Sequence, residues 1–213
     1  MVFHNPYKSP PLPKPMLSSL EFRRQLFHVG IGLALVGLVY LEILTPFLLF
    51  LIIINGFLLS FLSKRIDLPL VSFFLDLVER PEQRRKFPGK GVLFMFIGSL
   101  LALQLFERQI ALAAIMVLAL GDSVSHLFGA TFGKIKNIFN GNGKKLLEGT
   151  LAGTVLGFLG ALIFVPIPEA FMGSVAAMLA EVVKIDLNDT TLDDNLIVPL
   201  VAGTAMLLVG EFV

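Results

Sequence analysis

Asp122 sits in the middle of an otherwise apolar stretch, with Ser125, His126, Gly129 and Gly133 following at helical steps. An ionisable group in such a stretch is expensive and usually faces an interior cavity. One stripe of this helix is therefore polar or small and could line a wet cleft, while Val124, Leu127 and Phe128 point elsewhere. The bland account is a buried aspartate bonded to a neighbouring helix or to His126. A second stripe lies in "EFRRQLFHVG" (21–30), where Glu21, Arg24, Gln25 and His28 share a helix face. Arg24 there could hold a phosphate, ordered by Glu21 and His28; a structural role for His28 is equally open.

Three loops add charge. "RRKFPGKG" (84–91) sets Lys90 between two glycines, beside turns that leave amides open to an anion. "NGNGKKLLEG" (140–149) is glycine-rich, then dibasic, then opens a helix. Gly143, Lys144, Lys145 and Gly149 in that order suit a phosphate at a positive helix end. The spacing is not that of a P-loop. Glu148 could bind magnesium or complement the helix dipole. "DLNDTTLDDNLIVPL" (186–200) offers Asp193, Asp194 and Asn195 as hard oxygen ligands for magnesium. The alternative is a solvated loop in which Asp193 or Asp194 caps the next helix, and that account is preferred for Asp186 and Asp189.

These groups need a frame, and the composition supplies one. The 213 residues are 55% hydrophobic and 15% charged, with a mean hydropathy of +0.84, which excludes an ordinary soluble domain. With no cysteine, disulfides and thiolate chemistry are excluded as well. Apolar runs near 25–42, 44–63, 92–106, 109–132, 148–165, 169–183 and 195–212 predict an all-α, polytopic integral membrane protein of about seven transmembrane helices. The first run is too long and too closely followed by another to be a cleaved leader. Placing the N-terminus inside puts every Lys and Arg of the 17 except Arg108 on the inner side. A proline-rich, flexible tail (1–19) then precedes a single membrane domain (20–213). Leu70, Phe73, Phe74 and Leu77 suit a short interfacial helix, with a packed loop as the alternative. Gly149, Gly153, Gly157 and Gly160 draw a stripe that favours close helix packing, or else a surface for a lipid chain.

Cations for phosphate, carboxylates for a divalent metal and an intramembrane acid all fall on one side. That inventory fits phosphoryl or nucleotidyl transfer from a soluble nucleotide to a lipid. In its ordered series "EFRRQLFHVG", "FPGKG", "GDSVSHLFGATFG", "GKKLLEG" and "LDDNLIVPLVAG" the chain resembles the dolichol kinase family, the CTP-using polyprenol, phytol and diacylglycerol kinases. The resemblance implies transfer of the terminal phosphate of CTP, with magnesium, to a long-chain lipid alcohol. Lys144, Lys145, Lys90 and Arg24 would hold phosphates. Asp122, Glu148, Asp193 and Asp194 are the candidate metal ligands, with Asn195 beside the nucleotide. Asp122 is also the candidate base, with Glu148 and Lys145 completing the catalytic set; Ser125 and His126 extend its polar face. Expected partners are a nucleoside triphosphate, the lipid alcohol and membrane lipids, with no nucleic acid. The expected location is the cell membrane in a prokaryote or the endoplasmic reticulum membrane in a eukaryote.

The "GD…KK…EG" block is also similar to the signature of phosphatidate cytidylyltransferases, which carry Ser-Pro where "NGNG" stands here. A CTP-dependent cytidylyltransferase is thus the alternative reading. A proton-coupled transporter using Asp122 and His126 is a third.

Overall fold

A computed structural model describes residues 17–135, 146–183, 186–187 and 190–212. The proline-rich stretch 1–16, Gly143, Lys144, Lys145 and Asp189, together with the side chain of Asp186, lie outside the described residues.

Local chemistry sets the helix starts. Ser18 caps α1 (Ser19–Tyr40) by accepting from the Glu21 amide at 3.1 Å, so the first helix begins within the stretch expected to be tail. Thr45 caps α2 (Pro46–Leu62) by accepting from the Leu48 amide at 3.3 Å, with Pro46 in the first turn, where its missing N–H is harmless. Prolines likewise open α3 (Pro69–Val78) and α4 (Pro81–Lys86). Gly89, at φ 75°, turns the chain into α5 (Lys90–Leu105) through a left-handed conformation suited to glycine.

The central element runs from Arg108 to Phe132 as α6 (Arg108–Met116), a π-helical segment (Val117–Asp122) and α7 (Ser123–Phe132). Most of it is buried: Ala111, Ala113, Ala114, Val117, Leu118 and Ala119 are at 0% exposure. Around it pack α1, α5, α8 (Leu147–Ala161), α9 (Ile167–Val182) and α10 (Asp194–Phe212). A two-residue antiparallel pair, β1 (Asp186–Leu187) with β2 (Thr190–Thr191), precedes α10.

The small residues explain the close approach. A Cβ on Gly153 would stand 2.6 Å from the Gly121 carbonyl oxygen, and one on Gly149 would collide with that of Ser125. The glycine stripe is therefore the surface on which α8 meets the central element, the packing that small residues permit between apolar helices.

The described residues thus form an all-α protein. Three stretches are long and apolar enough to cross a membrane by length and composition: Ser19–Tyr40, Arg108–Phe132 and Asp194–Phe212. This is fewer than the expected seven. Helices occupy all seven predicted runs, but α2, α5, α8 and α9 hold only 15 to 17 residues. At about 1.5 Å per residue they reach about 23 to 26 Å, short of a hydrocarbon core of about 30 Å. Residues 69–78 form a short helix, not a loop, with Leu70, Phe73 and Phe74 exposed.

Candidate functional site

The π segment ends on Asp122, and α7 carries His126 one turn further on. Asp122 is 7% exposed. His126 Nε2 lies 3.4 Å from its Oδ1, and His28 Nε2, from α1, lies 3.9 Å from its Oδ2. His28 also meets the backbone of Leu118, within the π segment. The start of α10 completes the group: ligand atoms of Asp122, His126 and Asp194 all lie within 4.8 Å of one another. Two carboxylates and an imidazole at that spacing could offer ligand atoms to one divalent cation.

Cations surround it. Asp122, His126 and Asp194 line a cavity of about 500 Å³ whose other walls carry Arg24, Arg80, Lys86 and Lys90. Glu21 fixes two of these, pairing with Arg24 at 2.6 Å and with Arg80 at 2.8 Å, while Gln25 donates to it at 3.0 Å. Lys90 Nζ sits 3.0 Å from Asp193 Oδ2 and over the Phe94 ring. Asp193 Oδ1 accepts from the backbone and side-chain nitrogens of Asn195. Asp193 therefore caps α10 and anchors Lys90, and it lies outside the three-ligand group.

Other expected residues fall elsewhere. The Glu148 carboxylate accepts from the Lys134 and Ile135 amides at 3.0 to 3.2 Å, fastening the chain after α7 to the start of α8. It is not part of the Asp122 group. Gly149 is buried against α7, where a phosphate has no access. Ser125 is buried and donates to Glu181 Oε1 at 3.3 Å, facing α9 and not the cavity.

Glu181 is a residue that the motif reading missed. It is 1% exposed in an apolar helix, with Oε1 4.0 Å from His126 Nε2. Its signal was the same as that of Asp122, a carboxylate within an apolar run. Arg80 and Glu79 were also missed. Glu79 is buried at the end of α3 and accepts from the Gly89 amide at 3.0 Å, tying the turn before α5 to α3. Burial raises its carboxyl pKa, partly offset by the Gly89 and Lys90 amides.

Two further spaces adjoin the cavity. A neck of about 100 Å³ shares Arg24, Gln83, Gly91, Asp122 and Asn195 with it. The neck shares Phe27, Leu75, Val78, Gly89 and Val92 with an open apolar groove of about 680 Å³. That groove runs beside α2 from Leu48 to Ser63, about 22 Å of helix. Asp122 is common to cavity and neck.

Fold and site together define an all-α protein, with helices long and apolar enough to span a membrane, in which a buried acid, two histidines and a mixed set of cations and carboxylates stand at a cavity and neck, the neck sharing its wall with an apolar groove. No family model matches the chain, and no solved structure matches it. It is similar to an uncharacterized protein of Methanocaldococcus jannaschii, 29% identical over 187 residues, which cover 86% of this chain and 91% of that protein.

Proposed function

We propose that the protein is a multi-pass membrane lipid kinase that transfers the terminal phosphate of CTP to the hydroxyl of a long-chain isoprenoid alcohol. The observation that carries this reading is the shared wall: the neck has lining residues in common with both the apolar groove and the charged cavity, and Asp122 lines neck and cavity alike. A chain in the groove brings its hydroxyl to Asp122, while a triphosphate suits the cavity edged by Arg24, Arg80, Lys86 and Lys90.

In this reading the alcohol oxygen attacks the terminal phosphorus, the bond from that phosphorus to the bridging oxygen breaks, and CDP leaves. The hydroxyl proton passes to Asp122, the carboxylate that faces both compartments. A loose transition state asks little of a base, so most of the rate comes from positioning and from cations on the phosphoryl oxygens. Asp122 and Asp194 would hold magnesium through their oxygens, with the His126 imidazole beside Asp122 as an orienting partner and not a ligand of that ion; the ion would supply charge neutralisation on the phosphates when bound. Arg24 is held in place by Glu21, and Lys90 by Asp193. Lys144 and Lys145 join the phosphate-binding set on the strength of the resemblance to the dolichol kinase family.

The bilayer supplies the solvent for the outer surface. α2 buries only Leu49, Ile53 and Ser60 and exposes a broad run of Phe, Leu and Ile, a surface that suits lipid and would associate in water. With the N-terminus inside, the seven helices of the apolar runs enter the membrane, the shorter ones through local thinning of the bilayer. The site then opens at the cytoplasmic face, of the cell membrane in a prokaryote or of the endoplasmic reticulum in a eukaryote.

The test uses reconstituted protein with a prenyl alcohol and CTP labelled at the γ phosphate, and separately with phosphatidate and CTP labelled at the α phosphate. Label enters the alcohol in the first reaction. Label entering lipid only in the second would replace the kinase with a cytidylyltransferase.

A further inference from the structure

The apolar groove has a second polar neighbour besides the charged cavity. A pocket of about 720 Å³ is lined by the start of α1, the end of α2 and residues of α3 and α4. It shares Ser63, Leu75 and Pro88 with the groove, and Leu75 and Glu79 with the neck. Leu75 therefore borders all three spaces. Arg23, Lys64, Arg84 and Arg85 converge on this pocket from three separate helix ends.

Their partners decide what the pocket attracts. Arg84 is paired with Asp76. Lys64 donates to the Lys86 carbonyl, and Arg23 and Arg85 have no carboxylate partner among the described residues. All three are exposed at the pocket. The inner-side excess of cations accounts for their sign, but not for their gathering around one concavity that continues into a groove for a single chain.

We propose that this pocket is a second headgroup site, which binds the phosphate monoester of a lipid whose chain lies in the apolar groove. Beyond the neutralised Arg84–Asp76 pair the pocket carries three cations against the one Glu79 carboxylate, which the Gly89 amide holds, and that excess suits a monoester, which carries close to two negative charges near neutral pH. A single groove matches one chain, unlike the two of a bilayer phospholipid. The inference rests on the groove holding a lipid chain. Combined with the kinase reading, it makes the ligand the reaction's own product: the chain stays in the groove while its new phosphate passes Leu75 and leaves the nucleotide cavity free.

The test is equilibrium binding, without nucleotide, to the full chain in phosphatidylcholine nanodiscs. The probes are a prenyl phosphate, the matching prenyl alcohol and phosphatidylglycerol. Replacing Arg23 and Arg85 together by Gln weakens prenyl phosphate binding roughly tenfold, the loss expected for exposed charge-assisted contacts. Retention of the alcohol by the same variant certifies its fold, and Lys90→Gln leaves phosphate binding unchanged. Wild-type phosphate binding by the double variant, or loss caused by Lys90→Gln alone, overturns the proposal. So does phosphatidylglycerol competing as strongly as the monoester. Because no nucleotide is present, the outcome is independent of label transfer: transfer without Arg23 and Arg85 dependence removes only the second site, and dependence without transfer removes only the kinase.

Discussion

His126 Nε2 stands 3.4 Å from Asp122 Oδ1, one turn along the same buried helix, and Asp194 reaches both from 68 positions further along the chain than His126. Asp122 also lines both the charged cavity and the neck beside the apolar groove. Asp122→Asn keeps the size and most of the hydrogen bonding but removes charge and basicity. Phosphoryl transfer is expected to fall by about 10² to 10⁴-fold, with unchanged retention of the prenyl alcohol. Near wild-type turnover would remove Asp122 from the chemistry.

Asp194 is expected to act through the cation. Asp194→Asn raises the magnesium concentration needed for half-maximal transfer by about tenfold or more, and saturating magnesium recovers much of the rate. A chelator abolishes transfer by the wild type reversibly. Transfer that persists in the chelator excludes the metal role of this group.

Lys90 and Asp193 form a pair at the cavity edge. Lys90→Gln removes a cavity-facing charge and is expected to raise the KM for CTP roughly tenfold, with a smaller change in kcat. Asp193→Ala also removes the cap of α10 and costs about 1 kcal/mol of stability, read as a lower midpoint of thermal unfolding in detergent. An unchanged KM in Lys90→Gln would place the nucleotide elsewhere.

Glu79 gives the protein a pH dependence outside its spanning segments. Its carboxyl pKa is raised in the folded state by burial. The folded state therefore holds the proton more tightly than the unfolded one, a contribution fully present below the ordinary glutamate pKa and lost as pH rises through the raised value. Native stability from this group accordingly declines as pH rises above the ordinary glutamate pKa and through the raised value. Glu79→Gln is expected to flatten that decline, so that variant and wild type diverge progressively as pH rises. Parallel unfolding curves across that range would contradict it.

The α7–α8 contact makes a prediction about stability alone. A Cβ on Gly149 meets the Ser125 backbone carbonyl, which has no rotamer in which to move aside. Gly149→Val is expected to cost at least about 1 to 3 kcal/mol. It shows as early unfolding in detergent, whereas Thr154→Val, at a position whose hydroxyl bonds only within its own helix, stays close to wild type.

The helices were legible because apolar runs and their punctuation are local properties: Thr45 with Pro46, and the proline that opens α3, mark boundaries in the sequence itself. The number of long spans was less legible, since runs of similar hydropathy end in helices of quite different length. Arg24, Lys90, Asp122 and Asp194 were recognisable by type, but the placement of Asp194 beside Asp122 depends on how α10 packs against the central element. Asp193 and Asp194 are adjacent and chemically alike, and only the register of the α10 cap separates an anchor for Lys90 from a member of the ligand group. Glu148 was misplaced for a similar reason, because two backbone amides of the chain after α7 hold it.

The π segment Val117–Asp122 has one more consequence. A π turn accommodates an extra residue relative to an α-helix, and each residue of an α-helix advances by about 100°. Closing that segment in α register with all of its residues kept would swing everything beyond it around the axis by about one residue's share of a turn. Asp122 and His126 would then turn away from His28 and Asp194 together, although no side chain had been altered. The acidic face of this helix is set by a counting offset in its backbone as much as by the amino acids that compose it.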